Sequence, residues 1–170
     1  MHLSRPLIST LSLALLVCLS PLRAQDKPVP DFKSLDEVLK VLPKDVLKDL
    51  KQPSKIEAAR RTANEVLQKE VVDKIVTFEL ELGEWTPWAG ANDETDKIRV
   101  GVKDMPVDVG GLDFVVRLWV MMPPDQEMIL KKIRPKEDVE VTGKLTRFGF
   151  SAAGGKIFLD GDIRQSRIDP

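Results

Sequence analysis

This sequence predicts a mainly β domain preceded by a helical extension, and three observations carry that reading. Apolar residues recur at helical spacing from Ser34 to Lys69. From Val71 the spacing switches to strict alternation, the pattern of strands with one face buried. Five such alternating segments follow, separated by polar or glycine-bearing connections.

The chain of 170 residues opens with a segment that reads as a leader. A short basic start (His2, Arg5) is followed by an apolar run from Leu7 to Leu19, then Pro21 and the small residue Ala24. That is the layout of a secretory signal peptide over residues 1–24, and the run is too short for an ordinary membrane span. Two competitors are an uncleaved anchor and a lipoprotein. Leu22 before the cut is not ideal, and a lipoprotein would need a small residue where Val17 precedes Cys18. Cleavage would place the product outside the cytoplasm, periplasmic or extracellular, beginning near Gln25.

The sole cysteine (Cys18) and the sole histidine (His2) leave with the leader, and the chain has no tyrosine. The fold must therefore rest on packing without disulfides, although export would permit them. Catalysis by cysteine or histidine goes with them. Losing Arg5 and Arg23 leaves 24 basic residues against 27 acidic ones, a net charge of about −3. A strongly basic footprint for non-specific nucleic-acid binding is absent.

The polar, proline-rich segment QDKPVPDF makes residues 25–33 a flexible tether. Residues 34–69 form the helical extension. Ser34 and Glu37 make a capping box, with Leu35, Val38, Leu39 and Leu42 on one face. Pro43 ends that helix or starts a second one carrying Val46, Leu47 and Leu50. Ser54 and Glu57 repeat the box before a longer helix with Ile56, Ala59, Ala63, Val66 and Leu67 inward. Its other face offers Glu57–Arg61 and Glu65–Lys69 pairs at the favourable four-residue spacing. Two fates are open for the apolar stripes: packing on the domain behind, or presentation to a partner.

Residues 70–168 form the β domain. The first strand turns Val76, Phe78, Leu80 and Leu82 one way and Thr77, Glu79 and Glu81 the other. In the second, Ile98, Val100 and Val102 alternate with Arg99, Gly101 and Lys103. A connection containing Gly110–Gly111 leads to the third, with Leu112, Phe114, Val116, Leu118 and Val120 inward. Pro123–Pro124 stops it, and a short helix around residues 125–132 follows. Val139, Val141 and Leu145 mark the fourth strand, and Ile157, Leu159 and Ile163 the fifth. SAAGGK between them is a hairpin connection.

In IRPKEDVEVTGKLTRFGFSAAGGKIFLDGDI, a charged turn enters V-x-V-x-G, then a hairpin, then K-I-x-L. With three strands, a short helix and two strands, this resembles the OB-fold, a five-stranded Greek-key barrel. The tRNA-anticodon-like OB domains and small exported bacterial OB proteins share the pattern. The resemblance spans roughly Val71 to Arg167 and leaves the helical extension outside. It implies architecture rather than ligand, because one fold hosts many functions.

The resemblance also implies a binding face on strands two and three, closed by the loops joining strands one–two and four–five. Carried onto this chain, it selects Arg99, Lys103, Arg117 and Trp119, with Val115 and Met121 beside them. Trp85 and Trp88 come from the first loop and Lys156 from the later one. Tryptophan near arginine suits stacking on a base, a sugar ring or a peptide side chain. The competing role for the three indoles is structural, capping the barrel or lying under the helices.

Other motifs are weaker. Gly149–Ala153 faintly echoes a nucleophile elbow, but Ser151 lies in a hairpin and has no histidine to serve it. Asn92, Asp93, Glu94 and Asp96 could offer oxygen to calcium, yet they lack EF-hand spacing and read as a solvated loop. Asp160–Gly161–Asp162 reads as a bulge at a strand end. The expectation is an exported, non-enzymatic binding module with no catalytic residue, metal or cofactor, its ligand an envelope protein or glycan. Single-stranded nucleic-acid binding is the alternative, and a carboxylate-dependent hydrolase the third.

Overall fold

The computed structural model describes residues 29–89, 95–109 and 111–168. The leader and the first part of the tether lie outside them. Asp31 and Phe32, placed in the tether by composition, are instead held on the first strand. Phe32 bridges Val76 in parallel, the Thr77 amide donates to the Phe32 carbonyl (2.9 Å), and the Ile75 amide donates to the Asp31 carboxylate (2.9 Å). The chain is pinned because Phe32 packs against the core.

Three helices follow: α1 (Leu35–Leu39), α2 (Lys44–Leu50) and α3 (Ile56–Glu70). Ser34 caps α1 by accepting from the Glu37 amide (3.2 Å), while Glu37 reaches back to the amide of Lys33 (2.7 Å). The second capping box does not form. Lys55 is the N-cap of α3 in helical conformation, so Ser54 lies one residue too early to cap. Glu57 bonds Arg60, one residue nearer than expected, and Lys69 bonds its neighbour Glu70. Val38, Leu39, Leu42, Val46, Leu50, Ala59, Ala63 and Leu67 all join the core of the β domain. The apolar stripes are therefore spent on the domain behind.

The fold is mainly β, with six strands rather than five: β1 (Ile75–Pro87), β2 (Ile98–Val102), β3 (Met105–Val109), β4 (Leu112–Met122), β5 (Asp138–Ala153) and β6 (Lys156–Ile168). A 3₁₀ turn (Pro124–Gln126) leads into α4 (Glu127–Leu130) ahead of β5. The added strand, β3, lies in the segment read as a connection. It pairs with the first half of β4, whose second half pairs with β2. The sheet order is β2-β1-β5-β6-β4-β3, and the extra β2–β4 pairing bends it into a partly ring-like arrangement. All pairings between these strands are antiparallel except β4 with β6.

Two register shifts lie between β5 and β6, at Thr142/Lys144 and Leu145/Arg147. Bulges of this kind bend strands and change which residues face inward. Val141 and Leu145 are buried at odd positions, but beyond the second shift Phe148 and Phe150 are the buried pair. Phe150 meets Phe114 edge to face, ring centroids 5.5 Å apart. Gly161 lies under this cluster. A Cβ there would come within 2.6 Å of Phe148 and 2.8 Å of Leu118. Asp160–Gly161–Asp162 therefore runs through regular mid-strand pairing with β4 and β5 and is not a terminal bulge. The β5–β6 connection is the expected hairpin, with Gly154 and Gly155 both at positive φ.

The inward set Val76, Phe78, Leu80, Val100, Phe114, Val116, Leu118, Val141 and Leu159 is buried in one cluster. β1 leaves β5 at Ile75–Lys144, and α3 occupies the edge beyond. There the Asn64 carboxamide copies a strand. Its oxygen accepts from the Phe150 amide (2.6 Å) and its nitrogen donates to the Phe150 carbonyl (3.0 Å). Among the described residues no helix is long and apolar enough to cross a membrane.

Candidate functional site

The outward side chains of β2, β4 and β6 form one polar–aromatic face. Cross-strand pairing sets Gly101 beside Trp119 and Trp119 beside Asp162, while Arg117 lies beside Asp160. A Cβ at position 101 would meet the Trp119 ring at 3.5 Å, so the indole packs against the glycine. The Arg99 guanidinium stacks on Trp119, 3.5 Å from its ring centroid, and stands 5.2 Å from that of Trp88. Trp119 keeps 37 % exposure, the largest of any bulky apolar residue on this face. Trp88 Nε1 and Arg99 Nε are buried and meet no hydrogen-bond partner among the described residues. Arg60 Nε on α3 shares that state, so these donors do not by themselves mark the face.

Beside Trp119 runs a groove of about 540 Å³, lined by Gly101, Asp104, Arg117, Trp119, Arg147 and Asp160 among others. Arg117 donates from Nε to Asp160 (2.7 Å) and lies over the Phe158 ring, 3.9 Å from its centroid. Ser151 Oγ donates to the other oxygen of Asp160 and accepts a long bond from Arg117 Nη2 (3.5 Å). Arg147 grips Asp162 through Nε (2.8 Å) and Nη2 (3.0 Å). Burial pushes the Asp160 carboxyl up, but the bonds from Arg117 and Ser151 and the charges of Arg117 and Arg147 outweigh it. The carboxyl is held below its ordinary value. Its hydrogen bond raises the Arg117 guanidinium in turn, against some desolvation, so both partners stay ionised.

Of the residues proposed from sequence, the fold gathers Trp88, Arg99, Arg117 and Trp119. Trp85 is turned away. A register shift in β1 between Leu82 and Trp85 aligns it with Val100, and it packs against the core. Lys103 is ion-paired to Glu81 (2.6 Å). Lys156 lines a different cleft, of about 1030 Å³, between the α2–α3 junction and the β3–β4 hairpin, which Val115 also borders. Met121 points outward but is buried, 4 % exposed.

Arg147, Asp160, Asp162 and Phe158 belong to the site and were missed as ligand-facing residues. Alternation along β6 gives Phe158, Asp160 and Asp162 one face, which was the available signal. Arg147 was hidden by the shift in β5. Asp96, one of the residues weighed for calcium, accepts with both oxygens from the Gln165 amide (3.1 Å each), and Asn92, Asp93 and Glu94 lie outside the described residues. No family model, curated protein or solved structure matches this chain.

Proposed function

We propose that the chain is an exported, non-enzymatic binding module on an OB-type, five-stranded Greek-key barrel, with β3 as an added edge strand. Its ligand is a protein or glycan of the cell envelope, held on the outer face of β2, β4 and β6. The OB-type reading is supported by the circuit β1–β2–β4–β6–β5–β1, with its single parallel pair β4–β6. The observation that carries the binding role is Trp119, exposed yet held in place by Gly101 and Arg99, on the wall of a groove edged by two arginines.

Charge favours this ligand class over nucleic acid. In the groove Arg117 and Arg147 are each paired with a carboxylate and Asp104 stands beside them, so the groove lacks the unbalanced positive charge that drives polyanion binding. Retention of the processed protein on envelope fractions and on single-stranded DNA, each from low to high salt, tests the proposal. Salt-tolerant retention on the envelope fraction is expected. Retention on DNA alone, falling steeply with salt, would overturn it.

A further inference from the structure

The groove beside Trp119 makes a more specific statement about its ligand, and this inference rests on the reading of the face as a binding surface. Both groove arginines are fixed before any ligand arrives. Arg117 spends Nε and Nη2 on Asp160 and Ser151, and Arg147 spends the same two nitrogens on Asp162. In each the Nη1 group makes no hydrogen bond among the described residues. Their carboxylate anchors lie two positions apart on one face of β6, and Phe158 supports the Arg117 plane from below. Orientation by a carboxylate and a ring lowers the entropy lost when such a guanidinium grips a ligand. Paired as they are, these cations do not draw a long polyanion by charge alone, but each retains donors for one planar carboxylate.

The remaining lining argues for a sugar. Trp119 offers the indole surface that Arg99 leaves uncovered, against which the C–H face of a pyranose can lie. Asp104 is a carboxylate on the groove wall that makes no hydrogen bond among the described residues. It can accept from the hydroxyl groups of a sugar. The volume of about 540 Å³ lies within the range of small-ligand sites, roughly 300–1,000 Å³. We propose that this groove binds a uronic-acid residue of a glycan, its ring against Trp119 and its carboxylate on Nη1 of Arg117 and Arg147.

The test uses the processed protein, titrated with trigalacturonate and with the methyl ester of the same trisaccharide. Binding is read by intrinsic fluorescence, in which tryptophan is the only indole or phenol emitter because the chain has no tyrosine. Trigalacturonate should bind saturably and at least tenfold more tightly than its ester. Arg147→Gln should erase that preference without changing the melting temperature, since Arg147 is largely exposed. Trp119→Ala should weaken both sugars. Equal affinity for acid and ester, or no saturable binding of the acid, overturns the uronic-acid assignment. If the ester binds equally and Trp119→Ala abolishes both, the face remains the binding surface and only the acidic preference falls. Acid binding that ignores both Trp119→Ala and Arg117→Gln overturns the face itself. Displacement of the acid by a single-stranded oligonucleotide, with tighter binding of the latter, overturns the assignment in favour of nucleic acid.

Discussion

Arg117 and Phe114 lie three residues apart on β4 and face opposite ways, so their substitutions separate core from site. Phe114 is buried against Phe150, and Phe114→Ala should cost about 3–5 kcal/mol in denaturant unfolding. Arg117→Ala removes a partly exposed ion pair and should cost well under that. Asp160 makes the same pair pH-dependent. Its carboxyl titrates lower in the folded chain than in the unfolded one, so the pair's contribution is complete above the unfolded value of about 4. The contribution is lost as pH falls through the lower folded value. Asp160→Asn should therefore flatten the fall of melting temperature below about pH 4, with little change in slope near neutrality. The outward alternation of Arg99, Arg117 and Trp119 was legible from sequence. The stack of Arg99 on Trp119 was not, because it depends on β2 pairing with β4 at Gly101–Trp119, a long-range register.

Strand register decides what each element contributes, and its shifts mark where sequence reading stops. Alternation located five strands because each buries one face over several residues, as Val76, Phe78 and Leu80 do. It missed β3, where Met105, Val107 and Val109 alternate over only five residues around Pro106. Proline suits such an edge strand, which β3 is. Alternation gave no face to Phe148 and Arg147, since a bulge inverts the faces of everything beyond it, and Trp85, read as part of a loop, lies in β1 past a register shift. Two substitutions test the element contacts. Asn64→Ala strips both hydrogen bonds from the Phe150 backbone and should cost on the order of 1–3 kcal/mol, with faster exchange of the Phe150 amide. Gly161→Ala drives a methyl group into Phe148 and Leu118 and should destabilise by about 1–3 kcal/mol in thermal or denaturant unfolding.

At the scale of the whole molecule, helices and sheet share one core, with α3 along the β5 edge and α2 near the start of β4. No residue of α1, α2 or α3 lines the groove beside Trp119, so among the described residues the extension leaves that face open. This division of labour was only half legible. Helical spacing showed which side chains were apolar, but which part of the sheet they would cover depends on contacts such as Asn64 with Phe150, 86 residues apart. The central claim is that the Trp119–Arg117 face serves a ligand rather than the fold. Its most direct measurement pairs the melting temperature with retention on envelope fractions for the double variant Trp119→Ala, Arg117→Ala. Melting within a few degrees of the parent and loss of most retention is the result predicted here. A large drop in melting temperature would show that these residues hold the sheet together, and unchanged retention would show that the ligand lies elsewhere.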